Sequence, residues 1–212
     1  MKICGLMRSF DVAAAAAYGA DAFGFVLASP SSRRNLSLAR ARKLEKYVPV
    51  FGTKVAVTSS RDARTLRRIC ERVHPDALQL HQCDNSAIGM LRRKHPEVEL
   101  ILATRVRGKE SISEARVASR YSDAVLADSL GVDGMGGTGR TNDWNLSASI
   151  RDEIFPHPLI LAGGLTSANV RMAISKVRPH AVDVSSGVET RVGMKDPVKI
   201  REFIRIAKES KT

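Results

Sequence analysis

Aromatic residues are scarce: one Trp, three Tyr and six Phe in 212 residues. That leaves no stacking platform of the kind that single-stranded nucleic acid needs. Cysteine is scarcer still. Cys4, Cys70 and Cys83 are odd in number and far apart, and no CxxC or HxxxH spacing accompanies them. Neither a disulfide frame nor a metal site is indicated. No run approaches the roughly 18 apolar residues of a membrane span. The opening residues, Met1-Lys2-Ile3-Cys4-Gly5-Leu6, enter a strand pattern directly, without the apolar core or cleavage site of a signal peptide. A cytoplasmic protein with no membrane partner is expected. Acidic residues are outnumbered, with Asp+Glu 22 against Lys+Arg 34 and a formal net charge of +12. The cations are spread over nearly every helical segment, as in Arg67-Arg68 and Arg92-Arg93-Lys94. They read as solvated outer faces biased toward small anionic substrates, not as a nucleic-acid surface.

What is present is alternation. Strand patterns at residues 3–6, 22–27, 54–57, 77–81, 98–104, 123–128, 159–162 and 182–184 are each followed by a helical pattern, at a period of about 25 residues. The helical patterns cover residues 10–18, 37–47, 62–73, 85–94, 111–119, a short stretch after Trp144, 167–177 and 197–208. Their ends are punctuated. Ser37, Asp62 and Asp196 stand at N-cap positions, Pro197 opens the last helix, and Gly19 closes the first. Residues 131–142 form a Gly-rich loop. Strict βα alternation implies a parallel sheet with right-handed crossovers. Eight units favour an α/β fold of the single-domain (β/α)8 TIM-barrel type over residues 1–212. The length is just above the minimum of about 200 for such a barrel. An open, doubly wound sheet is the structural alternative.

The last two units carry the clearest chemical signal. Leu159-Ile160-Leu161-Ala162 runs into Gly163-Gly164-Leu165-Thr166, and Val182-Asp183-Val184 runs into Ser185-Ser186-Gly187. Gly/Ser turns at helix starts present bare backbone N–H groups to an anion. Two such turns near the C-terminus fit the phosphate grip of a barrel, which lies after its seventh and eighth strands. Chemistry in this fold sits at the C-terminal ends of strands. Those ends offer Cys4, Arg33 and Arg34 in the loop after the second strand, Gln79 and His81, Asp128, and Asp183. Taken singly, Cys4 fits a small buried hydrophobe, a base once ionised, or a covalent nucleophile. Asp128 fits a loop cap or an acid of raised pKa. A thiol and a carboxyl beside a phosphate grip together describe proton shuttling on a phosphorylated substrate.

The motifs Lys2-Ile3-Cys4-Gly5-Leu6, Gln79-Leu80-His81, Leu126-Ala127-Asp128-Ser129, Gly136-Gly137-Thr138-Gly139 with Asp143-Trp144, Leu161-Ala162-Gly163-Gly164-Leu165 and the run from Ala181 to Glu189 resemble the signature series of the phosphoribosylanthranilate isomerase family. The resemblance spans the chain. It implies a (β/α)8 enzyme of tryptophan biosynthesis that performs an Amadori rearrangement with no metal or organic cofactor. By the same resemblance Asp128 is the general acid and Cys4 the general base. Arg34 meets the anthranilate carboxylate, with Arg33 as its competitor. Gln79, His81 and Asp183 line the substrate pocket, and Gly163, Gly164, Ser186 and Gly187 hold the phosphate. Met7, Gln82 and Arg33 depart from the family pattern. No single large apolar patch stands out, so a monomer or a homodimer is expected.

Overall fold

A computed structural model describes residues 1–81, 84–128 and 143–210. The Gly-rich loop, Cys83, Gln82 and the Gly136 to Gly139 motif lie outside the described residues. In chain order the elements are β1 (Lys2–Ile3), α1 (Ser9–Ala17), β2 (Ala22–Leu27), β3 (Asn35–Leu36), α2 (Leu38–Leu44), β4 (Thr53–Thr58), α3 (Ala63–Val73), β5 (Ala77–Leu80), α4 (Asn85–Lys94), β6 (Glu99–Arg105), α5 (Glu110–Ser119), β7 (Ala124–Asp128), α6 (Trp144–Ile154), β8 (Leu159–Leu161), α7 (Val170–Val177), β9 (Ala181–Val184), β10 (Glu189–Arg191), β11 (Met194–Lys195) and α8 (Pro197–Glu209).

Eight strands pair in parallel in the order β1, β2, β4, β5, β6, β7, β8, β9, and β9 returns to β1. The sheet is closed, so the open alternative is excluded. β3 adds a short parallel flank to β2. Alternation along each strand makes two cores. Inward positions Cys4, Val26, Val55, Val57, Ala77, Ile101, Leu126, Ile160 and Ala162 fill the barrel. Outward positions such as Ile3, Phe23, Phe25, Leu78, Val125, Leu161 and Val182 pack beneath the helices. The alternation expected for the last barrel strand holds: Ala181 borders the interior cluster while Val182 and Val184 join the outer one.

Side chains start several helices as the sequence predicts. Ser37 accepts from the Arg40 N–H (3.2 Å) and Asp62 from Thr65 N–H (2.8 Å). Asp196 accepts from the N–H groups of Val198 and Lys199, with Pro197 in the first turn. Each satisfies N–H groups that a helix start leaves unpaired.

Three local outcomes differ from expectation. β1 stops at Ile3 because Gly5 turns the chain at φ +71°, although the Cys4 N–H still reaches the Val184 carbonyl at 2.8 Å. The helix expected from residue 167 begins at Val170. Asn169 accepts from the Thr166 N–H (2.8 Å) and donates to the Gly164 carbonyl (2.9 Å), holding that stretch in a side-chain-bonded turn. Between β9 and α8 the chain makes an unexpected antiparallel hairpin of β10 and β11, turned by Gly193 at φ +80°. Arg8 and Asp11 anchor it through the backbone of Lys195.

Candidate active site

Cys4 lies at the end of β1 with its side chain in the barrel, 7% exposed. Two residues earlier on the same inward face is Lys2, a lysine buried in the barrel interior. Its Nζ donates to Gln79 Oε1 at 2.7 Å and to Asp183 Oδ2 at 3.1 Å. The register explains the meeting: β1 lies between β2 and β9, with Lys2 opposite both Ala22 and Asp183. Gly24 makes the room. A Cβ there would stand 2.9 Å from Cys4 Sγ and 3.1 Å from Lys2 Cε. Gln79 is buried, and its Nε2 lies 3.5 Å from His81 Nε2. The second carboxylate oxygen of Asp183 is buried without a hydrogen-bond partner among the described residues.

A second charged chain crosses the same rim. Arg34 bonds Glu189 with two nitrogens, Nε at 2.8 Å and Nη2 at 2.6 Å. Glu189 also accepts from Lys195 Nζ at 2.9 Å, and Lys195 donates to the Ser185 carbonyl at 3.0 Å. Of the two competing arginines, Arg34 turns inward and Arg33 is exposed. The Arg34 side chain packs so closely over Gly5 that a Cβ at Gly5 would meet its Cδ at 2.5 Å.

Electrostatics follow from this packing. Burial pushes the Cys4 thiol up; Lys2 and Lys195 pull it back, and the Asp183 charge adds to the rise. Burial works against the Lys2 ammonium, but Asp183 and the thiolate form of Cys4 outweigh it, and Lys2 is held above its ordinary value. Burial lowers Lys195 against the pull of Glu189. Burial opposes the Glu189 charge, yet Arg34 and Lys195 hold its carboxyl below the usual range. His81 is pushed down to about 4, by burial first and then by the Lys2 charge, so the ring is neutral at neutral pH.

Asp128 ends β7, two residues after the inward Leu126, and its register partner on β6 is Arg105. Gly163 and Gly164 follow β8 at φ +87° and +64°, a backbone region that glycine enters freely. Gly187 lies in a single 3-10 turn, residues 186–188, after β9. A Cβ on Gly187 would stand 1.9 Å from the Leu165 carbonyl oxygen, so the two turns meet there. The two turns were expected each to open a helix. One turn precedes α7 by several residues, and the other opens only a short 3-10 turn. Sequence reasoning did not assign roles to Lys2, Glu189 or Lys195. Lys2 carried a signal in its spacing from Cys4, and Glu189 closes the run that begins at Ala181; Lys195 depends on a hairpin the sequence does not announce.

A closed parallel barrel with a thiol, a carboxyl and two linked Gly/Ser turns at its strand ends is the layout of a (β/α)8-barrel enzyme. Residues 1–206 match the model of the family described as N-(5'phosphoribosyl)anthranilate (PRA) isomerase. The chain is 44% identical to N-(5'-phosphoribosyl)anthranilate isomerase of Methanothrix thermoacetophila, over 97% of this chain and 96% of that one. Its fold is similar to a structure of monomers generated from the dimeric phosphoribosylanthranilate isomerase of Thermotoga maritima (TM-score 0.83, 33% identity, 98% of this chain and 97% of that one). It is also similar to a phosphoribosyl anthranilate isomerase in complex with reduced 1-(o-carboxyphenylamino)-1-deoxyribulose 5-phosphate (TM-score 0.81, 34% identity, 98% and 97% covered). The chain belongs to the N-(5'-phosphoribosyl)anthranilate isomerase family.

Proposed function

We propose that this chain, as one catalytic domain, converts N-(5'-phosphoribosyl)anthranilate to 1-(2-carboxyphenylamino)-1-deoxyribulose 5-phosphate in L-tryptophan biosynthesis. The observation that carries the reading is the inward Cys4 thiol at the barrel end where two linked backbone turns meet, with Asp128 closing β7 two residues after the inward Leu126. Asp128 protonates the ribose ring oxygen as the bond from that oxygen to C1 breaks, and the anthranilate nitrogen lone pair forms the C1 imine. Cys4, as thiolate, takes the proton from C2, and the electron pair moves into a C1–C2 double bond. The enolamine then loses its hydroxyl proton and gains one at C1, giving the ketone. These steps leave Asp128 ionised and Cys4 protonated, and return of one proton from Cys4 to Asp128 through solvent resets the pair.

Binding follows the same geometry. Gly163, Gly164, Ser186 and Gly187 present backbone N–H groups to the phosphate. Arg34 has Nη1 without a hydrogen bond to any described residue, and that edge faces the anthranilate carboxylate. The unpartnered oxygen of Asp183 accepts from a ribose hydroxyl, while Gln79 and His81 floor the pocket. The reading includes a cytoplasmic location and a monomeric or homodimeric state; cell fractionation and light scattering test these.

The decisive assay generates the substrate in place from anthranilate and phosphoribosyl pyrophosphate and follows the decay of its fluorescence. Cys4→Ala and Asp128→Ala are expected to lose turnover by about two to four orders of magnitude each while remaining folded. Near-normal turnover in either variant removes that residue from its role.

A further inference from the structure

A thiol is a weak choice of base for a dry site, because burial favours its neutral form. What surrounds Cys4 therefore decides whether it works. Asp183 faces it from β9, Lys195 from β11, Arg34 from the loop after β2 and Lys2 from its own strand, with Glu189 and neutral His81 behind them. Arg34 and Lys195 share one carboxylate, Glu189. Lys2 meets one oxygen of Asp183 and the amide oxygen of Gln79. This set holds three cations and two anions. The excess positive charge is lost if Lys2 is removed, and Asp183 is then left bare beside the thiol.

Position singles out Lys2 further. Its Cε and the Cys4 Sγ both lie about 3 Å from one point, the place where a Gly24 side chain would begin. Gln79 and Asp183 pin the ammonium there, so it does not swing away when the thiol ionises. A buried ion pair is a poor purchase of stability, since well-packed apolar residues generally do as well. The incomplete bonding of Asp183 also marks this pair as something other than a closed structural link.

We propose that Lys2 is the positioning residue of the base: its ammonium, fixed by Gln79 and Asp183, is the charge against which the Cys4 thiolate forms. This rests on the reading of Cys4 as general base. It also gives Asp183 a second effect, opposing the thiolate while it anchors the lysine.

The test titrates Cys4 itself. Ultraviolet absorbance of the thiolate is followed against pH in the wild type, Lys2→Met, Lys2→Arg and Lys2→Gln, each with the matching Cys4→Ala protein subtracted. Lys2→Met is expected to raise the midpoint by about one unit or more, with isomerase turnover at neutral pH falling tenfold or more and recovering as pH rises. Lys2→Arg is expected to stay near the wild type, and Lys2→Gln to shift the midpoint up as Lys2→Met does. A folded Lys2→Met protein with an unmoved midpoint, or a turnover loss equal at every pH, overturns the proposal. If Lys2→Met does not fold, Lys2→Gln decides, and an unmoved midpoint there overturns it. An active Cys4→Ala enzyme would instead end the reading of Cys4 as base, while the titration would still report what Lys2 does to the thiol.

Discussion

Glu45 is the carboxylate least suited to its place. It lies just after α2, buried, with Oε2 making no hydrogen bond among the described residues and only a loose ion pair to the Arg42 guanidinium at 3.9 Å. Burial pushes its carboxyl up to about 7, against the pull of Lys54 and Arg42. The folded group holds its proton to higher pH than the unfolded one, so stability falls as pH rises from about 4.5 toward 7. Glu45→Gln is expected to raise the unfolding free energy at pH 8 by about 1–3 kcal/mol and to change nothing below pH 4. Denaturant unfolding at the two pH values checks this. At this scale the sequence was readable where the signal was local. The alternation of Asp183 with the outward Val182 and Val184 placed it inward, where Lys2 meets it. The choice between Arg33 and Arg34 was not local. It depends on Glu189, 155 residues further on, which only the closed fold brings to Arg34.

Among the elements, the turns after β8 and β9 do more than their lengths suggest. They touch at Gly187 and Leu165, so neither is shaped alone. Gly187→Ala drives a methyl group into the Leu165 carbonyl and must part the two turns. The expected result is a rise in KM for the phosphorylated substrate of about tenfold or more, with the melting temperature much less affected, because the barrel strands are untouched. Steady-state kinetics and a thermal melt check it. Helix starts were legible because their signals are single side chains: Ser37, Asp62 and Asp196 all cap as read. The α7 start was missed because Asn169 bonds back to Thr166 and Gly164, a competition that helix propensity does not register. The β10–β11 hairpin was missed because its strands have three and two residues, too short for any period to show.

The whole molecule carries a formal net charge of +12, and its reaction partner under the proposed function carries a phosphate and a carboxylate. Attraction between the two speeds encounter and is screened by salt. kcat/KM is expected to fall by about threefold to tenfold between low salt and half-molar salt while kcat changes little, a comparison that stopped-flow or steady-state rates provide. The barrel itself was legible in eight repeated strand and helix patterns, because each unit announces itself locally. Closure was read from the count of eight units and is made by β9 meeting β1. The site straddles that seam. Lys2 and Asp183 are 181 residues apart in sequence and 3.1 Å apart in space. A ribosome that has delivered the first seven units has therefore made most of a protein without the strand that brings Asp183 to Lys2. Under the proposed roles turnover is expected only with the final strand, so during synthesis or refolding the appearance of activity would time the joining of the ring, and a partly sprung seam would be silent while most of the helices are still in place.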